Sequence, residues 1–255
     1  MNLDLIRKDF PILETQVNGH QIVYFDNGAT TQRPLPVVNA VVDYVTHQNG
    51  NPHRGAHIFA ISASEAYDTS KEVVRDFIHA RSEKEIIYTR NTTESLNLVS
   101  RSYGETHLKK GDHILITIAE HHSNLVTWQR AAEKTGAVLD YIYIDKETGH
   151  SPEEELKKID DPRVKILAFA QVSNVLGVEF DPKPLIKRAH AHGAVVVLDG
   201  AQSTPHKQID VQDLDCDFFA FSGHKMCSMG GIGVLYAKEE LLDEMEPFLM
   251  GGDMI

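Results

Sequence analysis

Ala194-Val195-Val196-Val197-Leu198-Asp199-Gly200 places five apolar residues in a row and closes them with a carboxylate and a glycine. An apolar run without alternation marks a strand covered on both faces, and such strands belong to parallel sheets wrapped by helices. Runs of similar texture precede it at Glu85–Thr89, His113–Ile118, Val138–Ile144 and Val164–Ala170, and follow it at Phe218–Phe221 and Ile232–Tyr236. Helical patterns fill the gaps at Thr92–His107, Asn124–Thr135, Glu153–Ile159 and Pro184–His192, the last with Gly193 as its cap. The alternation predicts an α/β fold with a seven-stranded, mostly parallel sheet flanked by helices. The loop between the last two strands has no room for a helix, so the final strand is expected to be antiparallel.

Residues 1–80 read differently. Helices are expected over 35–47 and 63–80, joined by Asn49-Gly50-Asn51-Pro52-His53-Arg54-Gly55, whose polar, His- and Arg-bearing composition suits a site wall better than a tight connector.

The totals narrow the function classes. A formal net charge of −12 over 255 residues, with no basic cluster, argues against nucleic acid and anionic membrane surfaces as partners. No apolar run approaches the ~18–20 residues of a membrane span, and Met1–Phe10 reads as neither a signal nor a transit peptide. Two cysteines, Cys216 and Cys227, make no disulfide framework, which suits a reducing compartment with the cytoplasm as default.

In a parallel sheet the binding crevice lies beyond the carboxyl ends of the strands. Arg90-Asn91-Thr92-Thr93-Glu94 follows the first strand and offers hydroxyls and free N–H groups at a helix start. This is either a phosphate cradle or an ordinary Thr cap. Glu120-His121-His122-Ser123-Asn124 follows the second, where a flat imidazole suits stacking on a ring; two exposed histidines are the plain alternative. Val172-Ser173-Asn174-Val175-Leu176-Gly177 follows the fourth, as a polar site loop or a simple Asn/Gly turn. Asp199, with Gly200-Ala201-Gln202-Ser203, ends the fifth, where a carboxylate is costly unless paired. A pyridinium N–H or a helix N-terminus would supply that pairing. Ser222-Gly223-His224-Lys225 follows the sixth and brings an amine, which taken alone is one loop lysine among many.

Taken together these are the parts of a pyridoxal 5′-phosphate (PLP) site: a phosphate cup, a stacking imidazole, a partner for the ring oxygen, a carboxylate for the ring nitrogen and an amine for C4′. The same motifs, in order from Ile6-Arg7-Lys8-Asp9-Phe10-Pro11 through Asp26-Asn27-Gly28-Ala29-Thr30-Thr31 and His53-Arg54-Gly55-Ala56-His57 to Gly251-Gly252-Asp253-Met254-Ile255, resemble a SufS-type (group II) cysteine desulfurase, a class V aminotransferase-fold enzyme. The resemblance implies the large domain of the PLP-dependent transferase fold type I. It makes Lys225 the Schiff-base lysine, His121 the stacked histidine and Asp199 the partner of the ring nitrogen. It puts Thr92, Thr93, Ser222 and His224 at the phosphate, Asn174 and Gln202 at the ring oxygen and substrate, and Gly28 and Arg54 near the substrate. It also implies conversion of L-cysteine to L-alanine with the sulfur taken as a persulfide, a homodimer, a sulfur-acceptor protein and a role in iron–sulfur cluster assembly.

The family's persulfide cysteine and a carboxylate-binding arginine lie in a C-terminal small domain, at positions this chain does not have. The expectation is therefore a truncated chain. Residues 1–20 would pack on the missing small domain, residues 21–255 would form an incomplete PLP-binding domain, and desulfurase activity would be weak or absent. Cys216 is expected to face the interior. Met226-Cys227-Ser228-Met229-Gly230-Gly231 departs from the family pattern, with Cys227 read as a tolerated loop substitution. A selenocysteine lyase or another class V lyase or epimerase, and a non-catalytic PLP-binding module, are the rivals. A nicotinamide site at Gly230-Gly231-Ile232-Gly233 fails because that cluster precedes a strand and opens no helix. No metal site is expected, since Pro52 and Gly55 keep His53 and His57 off a common helix face.

Overall fold

The computed structural model describes residues 2–252 and Met254; Asp253 and Ile255 of the closing motif lie outside the described residues. The main sheet has the expected seven strands: β1 Ile86–Thr89, β2 His113–Thr117, β3 Val138–Ile142, β4 Val164–Ala170, β5 Val195–Asp199, β6 Phe218–Ser222 and β7 Gly233–Ala237. Their spatial order is β1-β7-β6-β5-β4-β2-β3. β7 runs antiparallel to both β1 and β6, while β6, β5, β4, β2 and β3 pair in parallel. The antiparallel strand thus sits one place in from the edge.

Burial on both faces explains the unalternated runs. Leu115, Leu167, Phe169, Val196, Leu198 and Phe219 join one core, together with Leu185, Ile186 and Ala189 of the helix Pro182–Ala191. Their strand neighbours Ile114, Ile116, Ile166, Ala168, Val197, Phe218 and Ala220 join a second core. There they meet Leu96 and Val99 from the helical stretch that opens at Thr92, and Trp128, Ala131 and Ala132 from the helix His122–Thr135. Neighbouring side chains of a strand point to opposite faces, so each face buries its own apolar set and helices cover both.

Some boundaries differ from expectation. The first long helix runs Leu35–Asp43 and then widens into a π-turn, Tyr44–Gln48. The next begins earlier than expected, at Ile58, where the His57 side chain accepts a hydrogen bond from the Ala60 N–H, and ends at Ile78 before a left-handed His79. A small hairpin, Gln16–Val17 against His20–Gln21, was not anticipated.

Functionally, the ladder pairings matter most. Ala170 lies opposite Asp199, and Asp199 opposite Ala220, so the ends of β4, β5 and β6 open at one level on the same edge of the sheet.

Candidate active site

At that edge the strand ends surround a cavity of about 600 Å³. Ten of the eleven sequence-selected site residues line it: Gly28, Thr92, Thr93, His121, Asn174, Asp199, Gln202, Ser222, His224 and Lys225. Arg54 does not. Its guanidinium lies beside Gly252, where an added Cβ would fall 2.8 Å from Nη2.

One wall joins β6 to the start of a helix. Asn91 caps the helix Thr92–Leu98 by accepting from the Glu94 N–H at 2.9 Å. The Thr92 N–H donates to Ser222 Oγ at 2.7 Å, and the two hydroxyls lie 2.6 Å apart. Both residues are buried. This close approach depends on Gly233 at the head of β7, where a Cβ would fall 2.6–2.8 Å from the Asn91 backbone. A cluster of hydroxyls and N–H groups at a helix start, facing a cavity, has the chemistry to hold an oxyanion.

At the floor, Asp199 is only 4% exposed. Its Oδ1 accepts from the Ala201 N–H at 2.9 Å, and Oδ2 accepts nothing among the described residues. Burial pushes its carboxyl up to about 6, opposed by the Ala201 hydrogen bond and by the charge of Lys225. Lys225 sits in the tight turn Gly223–Lys225 that follows β6. Burial lowers its ammonium pKa, and the Asp199 charge works the other way. The amine makes no hydrogen bond or ion pair among the described residues.

His121 caps the helix His122–Thr135. Its Nδ1 accepts from the Ser123 N–H at 3.1 Å and lies 2.7 Å from the Ser123 hydroxyl. Accepting at Nδ1 leaves the ring neutral with its proton on Nε2. Burial, then the charges of Lys225 and His122, lower its pKa in the same sense.

The segment after Phe25 forms the opposite wall, and several of its residues escaped the sequence reading. The Thr31 N–H and the Thr30 and Thr31 hydroxyls all donate to the His224 carbonyl, at 3.0, 3.1 and 3.0 Å. Arg33 Nε donates to the Ser228 carbonyl at 3.0 Å, and the Cys227 N–H donates to Thr31 Oγ1 at 2.7 Å. The turn that carries Lys225 is thus clamped by residues almost two hundred positions away in sequence. Gln202 Nε2 donates to the Gly28 carbonyl at 2.9 Å, tying the same segment to the chain after β5. The signal for this role was the density of Thr and Gly in Gly28-Ala29-Thr30-Thr31, but nothing local revealed the partner.

Glu120 was also overlooked. Partly buried beneath the ends of β2 and β4, it accepts from Thr117 Oγ1, from the Ala170 N–H at 3.1 Å and from Asn124 Nδ2 at 2.6 Å. Burial pushes its carboxyl up to about 7; the hydrogen bonds from Thr117 and Asn124 oppose this, and the charge of Asp199 adds to it.

Neither thiol belongs to the cavity. Cys216 is fully buried, which drives its thiol pKa upward and leaves it inert. Cys227 is partly exposed and holds a left-handed backbone, φ +62°, but does not line the cavity. Among the described residues no His, Cys, Asp and Glu group gathers as a metal site, and no helix is long and apolar enough to cross a membrane.

Comparison with known proteins fits this geometry. The aminotransferase class-V profile matches residues 23–255. The chain is similar to a probable cysteine desulfurase of Halalkalibacterium halodurans, 49% identical over 255 residues, which are 100% of this chain and 63% of that protein. Among solved structures, the cysteine desulfurase CsdA of Escherichia coli, in an S-sulfonic acid form, superposes with a TM-score of 0.88 at 40% identity, over 100% of this chain and 62% of that one. The apo cysteine desulfurase of Thermococcus onnurineus NA1 gives 0.89 at 42% identity, over 98% and 60%. The chain spans about 60% of the length of these relatives.

Proposed function

Because the chain belongs to the class-V aminotransferase family, we propose that it is the cofactor-holding part of a SufS-type, PLP-dependent cysteine desulfurase. The observation that carries this reading is the convergence of Lys225, Asp199, His121 and the Thr92–Ser222 hydroxyl pair on one cavity. The fit to the family's cofactor is specific. The Asp199 carboxylate keeps one oxygen without a donor among the described residues, which suits a protonated ring nitrogen, and the Thr92–Ser222 corner suits a phosphate.

Thr92, Thr93, Ser222 and His224 would hold the phosphate, Asp199 the ring nitrogen, His121 one ring face, and Asn174 and Gln202 the ring oxygen and substrate. When bound, PLP would supply an electron-withdrawing ring suited to carbanion chemistry at the substrate Cα. Lys225, its pKa lowered by burial, would carry the proton at the substrate Cα. His121, its Nδ1 accepting from the Ser123 N–H, keeps its proton on Nε2. The overall change balances as L-cysteine plus a thiol giving L-alanine plus a persulfide, with the sulfur atom moving to the accepting thiol.

No thiol lines the cavity among the described residues, so the accepting cysteine belongs elsewhere in the whole protein or on a partner. A sulfur-acceptor protein, a homodimer, a role in iron–sulfur cluster assembly and a cytoplasmic location complete the proposal. Exposed apolar side chains on the helices between residues 35 and 78, Val41, Val45, Phe59 and Ile61, support a covering partner.

Reconstituted with PLP, the chain is expected to show a saturable change in visible absorbance with L-cysteine, but little alanine release. Replacing Cys227 with Ser should leave both unchanged. Absorbance blind to L-cysteine would overturn the substrate assignment, and rapid alanine release abolished by Cys227→Ser would overturn the placement of the thiol.

A further inference from the structure

Trp128 is fully buried, and its indole Nε1 donates to Asn124 Oδ1 at 2.9 Å. An indole N–H can only donate, so the orientation of the Asn124 amide is settled: oxygen toward Trp128, nitrogen toward Glu120. Asn124 is itself 0% exposed, and its Nδ2 donates to Glu120 Oε2 at 2.6 Å. The other Glu120 oxygen accepts from the Ala170 N–H, which also can only donate, and from Thr117 Oγ1. Asn124 Nδ2 and the Ala170 N–H therefore present one fixed donor to each oxygen of Glu120. With Thr117, these partners come from the end of β2, the end of β4 and the first turn of the helix that His121 caps. The Asn124 N–H also donates to the His121 carbonyl at 2.8 Å, closing the turn around that residue.

We propose that Glu120 is a positioning residue of the cofactor site: as the acceptor at the end of the Trp128–Asn124 donor chain, it pins the turn carrying His121 to the ends of β2 and β4 and so fixes the imidazole against the cavity. This rests on the PLP site proposed above. Glu120 does not line the cavity. It acts through His121.

The polarity of the chain gives a test that shape alone does not. Glu120→Gln preserves size but puts an amide where Asn124 Nδ2 points. Either two donors face each other, or Asn124 flips and strands the buried Trp128 N–H. Trp128→Phe removes that stranded donor, so in the double variant Asn124 is free to flip and pair. Two quantities are read: the Kd for PLP, and the titration midpoint of the His121 imidazole by NMR in the cofactor-free protein.

Glu120→Gln is expected to weaken PLP binding about tenfold or more and to move the His121 midpoint up toward that of an ordinary histidine. Adding Trp128→Phe should recover most of both changes. Unchanged Kd and midpoint in Glu120→Gln, or a double variant no better than the single, overturns the proposal. Where Glu120→Gln does not fold, Thr117→Val decides, since it deletes one donor to the same carboxylate. A smaller shift in both readouts supports the role, and none overturns it. Failure of the parent chain to bind PLP would instead overturn the cofactor reading, while the His121 midpoint in the cofactor-free protein still judges Glu120.

Discussion

At Asp199 burial and charge oppose each other. The carboxyl ends a strand, is 4% exposed and is pushed up to about 6, while an unfolded aspartate ionises near 4. Between those values the folded state holds a proton that the unfolded chain has lost, so this residue makes stability fall as pH rises from about 4 to about 6. Asp199→Asn removes the effect. In urea unfolding of the cofactor-free protein, the variant should gain on the parent by up to roughly 3 kcal/mol between pH 4 and pH 7. A difference that does not change with pH would show that Asp199 is not held protonated by its surroundings. Single residues were unevenly legible in the sequence. Asp199 stands out because a carboxylate closes an apolar run, while Lys225, three residues past the end of β6, takes its meaning only from the motifs at the other strand ends. Glu120 does not stand out, because its meaning depends on Ala170, fifty positions on, and on a burial that no local pattern reports.

Elements were legible where two-sided burial imposed a continuous apolar run, as in β4 and β5. Their ends were less so. The run in β5 stops at Leu198, yet the ladder continues through Asp199, which pairs with Ala170 and Ala220; in β6 it continues through Ser222, opposite Gly233. Backbone pairing is indifferent to side-chain polarity, and these polar ladder residues are the ones that enter the site. The hairpin at 16–21 carries an Asn18-Gly19 turn with φ of +53° and +77°, the signature of a two-residue hairpin loop. Its strands are only two residues long, too short to show alternation. Gly233 lets the head of β7 pass close to Asn91, in the turn that opens the helix Thr92–Leu98. Gly233→Ala should displace that turn, costing about 1–3 kcal/mol in thermal or urea unfolding and weakening PLP binding through the Thr92–Ser222 corner. Parent-like stability together with parent-like affinity would contradict this role.

At the scale of the molecule, the sheet order brings β1, β2, β4, β5 and β6 to end at one edge, and the Asp26–Arg33 segment closes that edge from the far end of the sequence. Strand order and this long-range clamp could not be read from spacing. The identity of the strand-end residues could, and on that basis the cavity was anticipated. Every role proposed for the cavity requires Lys225 to be the amine that meets the cofactor. The direct measurement is borohydride reduction of the PLP-loaded chain, followed by mass spectrometry of its peptides. One phosphopyridoxyl group is expected, located on Lys225 and absent from Lys225→Ala. A group on another lysine, or none on a folded parent chain, would contradict it.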